Sequence, residues 1–186
     1  MISIPSIYSG AVIHAAATPP SMDIGVEEIR SWHVDGNGWS DVGYHLVIRR
    51  DGRYEIGRPF DRQGAHTGGL NNHQGKITFG LCMVGGVDSR GNVENNFTDW
   101  QFRTLYEVLT EFHEANPSAF IIGHNEAPGH ASRGCPCFNS KAYVRSLFDS
   151  WGEQKQPPEN FMDAVDTGED IEQPWKTIAN RFNGSA

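Results

Sequence analysis

No apolar run in this chain approaches the roughly 18 residues that a membrane-spanning helix needs. Basic residues are in deficit: 15 lysines and arginines stand against 23 acids, for a formal net charge of -8, and they form no cluster. Nucleic-acid binding rests on basic groups against phosphates, so that class is excluded, as is attraction to anionic membranes. Cysteine is scarce. Three is an odd number and too few for a disulfide framework. The N-terminal stretch MISIPSIYSGAVIHAAATPP is apolar but has no basic leader, and proline interrupts it early. It does not read as a signal peptide, so the expectation is a chain made and kept in the cytoplasm until another route releases it. Neither H-E-x-x-H nor a CxxC pair occurs, so no short metal motif names the chemistry.

What is present fits one domain. The 186 residues are 38% hydrophobic and 20% charged, the balance of a globular chain rather than a disordered one. GAVIHAAA (10–17) reads as a short buried strand ending near His14. DIGVEEIRSWHVDG places Val26, Ile29 and His33 at helical spacing, with acids in the first turn. VGYHLVIRRDGRYEIG is a hairpin about Asp51-Gly52, in which alternation sets Tyr44, Leu46 and Ile48 on one face and His45, Val47 and Arg49 on the other. Residues 58–75 form a long glycine-rich loop, of the kind that in a compact domain is functional or mobile. KITFGLCMVGG then reads as a strand buried on both faces, with Cys82 a small hydrophobe inside it.

Further along, Thr98 and Gln101 make a capping box for a helix with Phe102, Leu105, Leu109 and Phe112 inward, and Pro117 stops it. AFIIGH is another short strand, delivering His124 at its end. Asn139 caps a last helix with Tyr143, Val144, Leu147 and Phe148 as its packing stripe. The order β-α-β-β-loop-β-α-β-loop-α predicts an α/β fold, a single domain with a mixed central sheet and helices packed on it. That domain covers residues 1–151. Residues 152–186 form an acidic, proline-broken tail in which Trp175, Ile178, Ala179 and Phe182 have the spacing of a short amphipathic helix, read as tucked onto the domain. Partner docking and membrane contact are the alternatives, thinly supported by its basic residues.

The chemistry concentrates in HNEAPGHASRGCPCFN, residues 124–139. His14 and His124 end two strands and Cys135 follows in a loop, so three ligands can converge and leave a fourth position open, as a catalytic zinc requires. Spacing alone also allows core or surface histidines and an inert buried thiol. A Cys-His peptidase with Cys135 as nucleophile is a further reading.

The segments AVIHAAAT, EIRSWHVDGNGWSDVGYHLVIRRDG, GAHTGG, FGLCMVGGVDSRG, NFT and GHNEAPGHASRGCPCFN resemble, in this order, the type-2 N-acetylmuramoyl-L-alanine amidases. These include small phage lysozymes that are amidases and, as relatives, the animal peptidoglycan recognition proteins. The likeness covers about residues 8–150 and stops before the tail. It implies one Zn2+ held by His14, His124 and Cys135, a catalytic tyrosine at Tyr44, and a catalytic lysine position occupied here by Arg133. Arginine stays protonated, so Arg133 is suited to hold an oxyanion but not to shuttle a proton. The loop from His124 to Cys135 is a few residues longer than in the phage relatives.

His66 is expected to line a peptide groove, and Asn125 and Glu126 to orient a ligand from behind. His130 and Cys137 match no ligand position and are read as bystanders; His45 is read as packing or support. The implied reaction is hydrolysis of the amide between N-acetylmuramic acid and L-alanine of bacterial peptidoglycan. The implied setting is an endolysin that acts on the wall after release from the host cytoplasm, as a monomer. A binding-only module, or an inhibitor of a partner enzyme, is the alternative; members without catalysis typically lack the ligand cysteine, which is present here. Contact with a phage RNA polymerase has no support in the sequence.

Overall fold

The computed structural model describes residues 2–73, 75–132 and 134–153, with side chains described except at 73 and 148–153. Arg133, Phe148 as a packing residue, and the helix expected around Trp175 lie outside the described residues. The strands are β1 (Gly10–Ala15), β2 (Leu46–Ile48), β3 (Tyr54–Ile56), β4 (Asn72–His73), β5 (Lys76–Met83) and β6 (Phe120–Gly123). The α-helices are α1 (Val26–Ser31), α2 (Asp99–Ala115) and α3 (Ser140–Glu153).

The sheet runs β3-β2-β5-β1-β6, with β4 paired antiparallel to β5. β1 lies between β5 and β6 and is parallel to both. β2 is parallel to β5, and β3 closes the edge antiparallel to β2. The sheet is therefore mixed, as the hairpin requires. One face, with Ile13, Leu46, Ile48, Phe79 and Leu81, packs on Phe102, Leu105, Leu109 and Phe112 of α2 and on Tyr143 and Leu147 of α3. Each large side chain fully buried there contributes roughly 1.5–3 kcal/mol. The other face carries Val47, Cys82 and Val84 against Ile24, Val26 and Ile29.

Local signals explain the element ends. Thr98 Oγ1 accepts the Gln101 N–H at 3.2 Å, and Gln101 Oε1 accepts the Thr98 N–H at 3.1 Å, closing the capping box. Asn139 Oδ1 accepts the Ala142 N–H at 3.0 Å as the cap of α3. α1 is shorter than its pattern predicts: after Ser31 the chain widens into a π-type turn over Trp32–Gly36. His33 consequently leaves the buried stripe, and its Nδ1 accepts the Gly43 N–H at 3.0 Å.

The hairpin alternation is corrected. β2 begins only at Leu46, and Tyr44 packs beside Val47 and Cys82, not with Leu46 and Ile48. His45 turns to the opposite face and stacks on Phe79, ring centroids 5.4 Å apart. Gly57 donates to the His45 carbonyl and Arg58 to the Tyr44 carbonyl on consecutive residues. An alternating ladder does not do this; a bulge does, and a bulge re-aims the side chains beside it.

Candidate active site

Ligands of open α/β sheets collect at the carboxyl ends of parallel strands. Here β1 and β6, neighbours in the sheet, end beside His14 and His124. Both histidines are buried, with ring centroids 4.4 Å apart. Cys135 arrives from the loop after β6. Its carbonyl accepts the Asn125 N–H at 2.9 Å, and its Sγ accepts the Ala15 N–H at 3.2 Å. Sγ lies 3.7 Å from His14 Nδ1. One ligand atom from each of His14, His124 and Cys135 lies within 4.8 Å of the others, a group that could hold a metal ion.

His66 sits directly behind His14 and is buried at 8% exposure, so it does not face an open groove. Its Nε2 is 3.2 Å from the Thr78 carbonyl, which can only accept, so Nε2 carries the proton. Its Nδ1 is then an acceptor, 3.1 Å from His14 Nε2. The Thr67 hydroxyl lies beside both, 3.0 Å from His66 Nδ1 and 3.2 Å from His14 Nε2. Burial, aided by His45, pushes the His66 imidazole down to about 3, so it is neutral near pH 7. The arrangement makes His14 donate through Nε2 and turns its Nδ1 lone pair toward Cys135.

The bulge brings the Tyr44 ring to 5.2 Å from the His14 ring. Burial first, then Cys82 and Cys135 nearby, hold the Tyr44 phenol well above its ordinary range. It is a donor at neutral pH, not a base. Cys82 and Cys137 are buried free thiols whose ionisation burial opposes, so neither is an activated nucleophile. His45 accepts the Gly80 N–H on Nδ1 at 2.9 Å and donates from Nε2 to the Arg62 carbonyl at 2.8 Å, which ties the hairpin to the loop.

Asn125 and Glu126 act on the backbone that carries the cluster. The Asn125 N–H holds Cys135, as above. Glu126 accepts the Gly123 N–H at 2.9 Å and the Ser140 hydroxyl at 2.8 Å, linking the end of β6 to the start of α3. Sequence reasoning missed His130. Its Nδ1 lies 3.2 Å from His124 Nε2, and its Nε2 lies 3.2 Å from the Gly68 carbonyl. The A-P-G-H turn that presents it was the available signal.

Residues 5–138 match the family described as N-acetylmuramoyl-L-alanine amidase. The endolysin of Enterobacteria phage K11 is 43% identical over 134 residues, covering 72% of this chain and 83% of that protein. The endolysin of Escherichia phage T7 is 39% identical over 131 residues, covering 70% and 82%. Among solved structures, the Ph2119 endolysin from Thermus scotoductus MAT2119 bacteriophage Ph2119 shares the fold with a TM-score of 0.60 at 25% identity, covering 75% of this chain and 84% of that one. The family match spans β1 through the ligand loop, the whole of the segment that builds the cluster, and on that basis the chain belongs to the N-acetylmuramoyl-L-alanine amidase family and is an amidase acting on peptidoglycan.

Proposed function

We propose that this amidase is a zinc enzyme of the endolysin type, with residues 1–151 as its catalytic domain and residues 152–186 as an appended acidic tail. The observation that carries the reading is the His14–His124–Cys135 cluster at the ends of β1 and β6. Its geometry fits zinc. Tetrahedral bonds of about 2.0–2.1 Å to nitrogen and about 2.3 Å to sulfur separate the two donors by roughly 3.5 Å, and His14 Nδ1 and Cys135 Sγ are 3.7 Å apart. Two imidazoles and one thiolate are a zinc donor set, and three protein ligands leave a position for water.

When bound, zinc supplies Lewis acidity toward a water and toward the scissile carbonyl. His14, His124 and Cys135 would hold the ion, and His66 fixes the tautomer of His14. Water adds to the amide joining the lactyl group of N-acetylmuramic acid to L-alanine. The products are a carboxylate on the sugar side and a free amine on the peptide. Tyr44, kept protonated by its surroundings, donates a hydrogen bond to the tetrahedral oxyanion and is the candidate proton source for the leaving amine. Arg133, where the resemblance places lysine, adds fixed positive charge. Proton traffic then falls to Tyr44, because guanidinium does not give up its proton near neutral pH.

Among the described residues no helix is long and apolar enough to cross a membrane. The related phage endolysins support action on the cell wall after release. Bound zinc and release of stem peptide from purified peptidoglycan, measured for wild type and Cys135→Ser, test the reading. The expected result is stoichiometric zinc and cleavage in wild type and loss of both in the variant. A metal-free wild type that still cleaves overturns it in favour of a Cys-His peptidase.

A further inference from the structure

We infer that His130 is a positioning residue that holds the His124 imidazole in its metal-binding tautomer while strapping the ligand loop to the loop around Gly68. The inference rests on the zinc reading above.

The hydrogen-bond logic starts at the outer end. The Gly68 carbonyl can only accept, so His130 Nε2, 3.2 Å away, is the donor. In the neutral ring Nδ1 is then an acceptor. It faces His124 Nε2 at 3.2 Å, so His124 donates through Nε2 and offers Nδ1 to the cluster. The same sequence of atoms runs behind the other histidine: His14 Nε2 to His66 Nδ1, then His66 Nε2 to the Thr78 carbonyl. Each ligand histidine is thus backed by a second histidine that ends on a backbone carbonyl. Metal-binding histidines commonly donate their far N–H to a fixed acceptor, usually a carboxylate, backbone carbonyl or water, which sets the ring and raises its basicity; here a neutral imidazole takes that acceptor's place.

The sequence builds the strap deliberately. Ala127-Pro128-Gly129-His130 closes with a His130 N–H to Ala127 carbonyl bond of 3.0 Å. Pro128 occupies the second place, and Gly129, at φ +80°, the third. That is the pattern of a type II turn, whose third residue needs positive φ. His130 itself is half-buried, and the zinc-capable group consists of His14, His124 and Cys135 without it.

The test compares wild type, His130→Ala and His130→Asn for zinc affinity by chelator competition, and for the visible spectrum of the cobalt-substituted proteins. For His130→Ala we expect zinc binding weakened about 10- to 100-fold, as for lost outer partners of metal ligands. The cobalt coordination number should not change, and the melting temperature of the zinc-free protein should fall by only a few degrees, the cost of the strap's hydrogen bonds. His130→Asn, whose Oδ1 can accept in place of Nδ1, should recover part of the affinity. Unchanged affinity in His130→Ala overturns the inference. So does a cobalt spectrum showing a lost ligand, which would make His130 a ligand itself, and so does a loss that asparagine does not soften. If wild type binds no zinc, the metal reading fails instead, and the two failures are distinct.

Discussion

Replacing Gly80 by alanine puts a methyl group where the His66 ring lies. Gly80 is on β5, and a Cβ there would stand 2.5 Å from Cγ and 2.8 Å from Nε2 of His66. Carbon atoms in contact prefer about 3.5–4.0 Å, so the ring must retreat by roughly 1 Å. The ring is also close to Gly64, where an added Cβ would stand 2.5 Å from its Cδ2. A displaced ring loses its bonds to the Thr78 carbonyl and to His14, each worth about 1 kcal/mol net. Overpacking adds about 1–3 kcal/mol, and alanine returns about 0.5–1 kcal/mol over glycine in a strand. The sum is a destabilisation of about 2–4 kcal/mol. It should be accompanied by zinc affinity reduced about 10- to 100-fold, because His14 loses the partner that sets its tautomer. Denaturant unfolding of the zinc-free protein reads the first quantity and chelator competition the second. A Gly80→Ala protein that binds zinc like wild type would refute the claim that His66 positions His14, even if it were less stable.

Two further outcomes are expected. Tyr44→Phe should retain zinc and fold normally but lose about 10²- to 10³-fold in kcat on peptidoglycan, the usual effect of removing one donor to an oxyanion; equal loss of zinc would show that the hydroxyl supports the metal site rather than the oxyanion. His45 carries a stability change with acid. Burial lowers its imidazole from 6.5 to about 4, so the fold favours the neutral ring. A lowered folded value makes that stability complete above pH 6.5 and progressively lost as pH falls toward 4, by about 3 kcal/mol in all. Unfolding free energies of the zinc-free protein across that range should fall less steeply in His45→Gln than in wild type; parallel slopes would contradict the assignment.

Much of the scaffold was legible because its signals are local. The Thr98–Gln101 box, the apolar stripe of α2, and the strands ending at His14 and His124 are written in contiguous residues, and the structure keeps them. Period-2 alternation puts Tyr44 and His45 on the wrong faces because it assumes a regular ladder. The bulge depends on how Gly57 and Arg58 meet the strand from across the hairpin, which no window on one segment reveals. His66 and His130 are a different case. Their partners, His14 and Thr78 for one and His124 and Gly68 for the other, come together only once the sheet forms. His66 carries a recognisable motif but no sign that it turns inward, and His130 stands where ligand matching had nothing to align.

β1 is the first strand in the chain and lies inside the sheet, yet Gly10 pairs with Thr78 and Phe120. Such pairing between distant segments forms slowly, since long loops must close before any contact rewards them. The cluster inherits that delay. During synthesis a chain can hold His14 and much of its sheet while Cys135 is still unmade, so a nascent or truncated protein has no complete donor set. On the zinc reading proposed above, competence to cut the wall requires synthesis to have passed Cys135. Metal uptake by fragments ending before and after Cys135 would report that checkpoint.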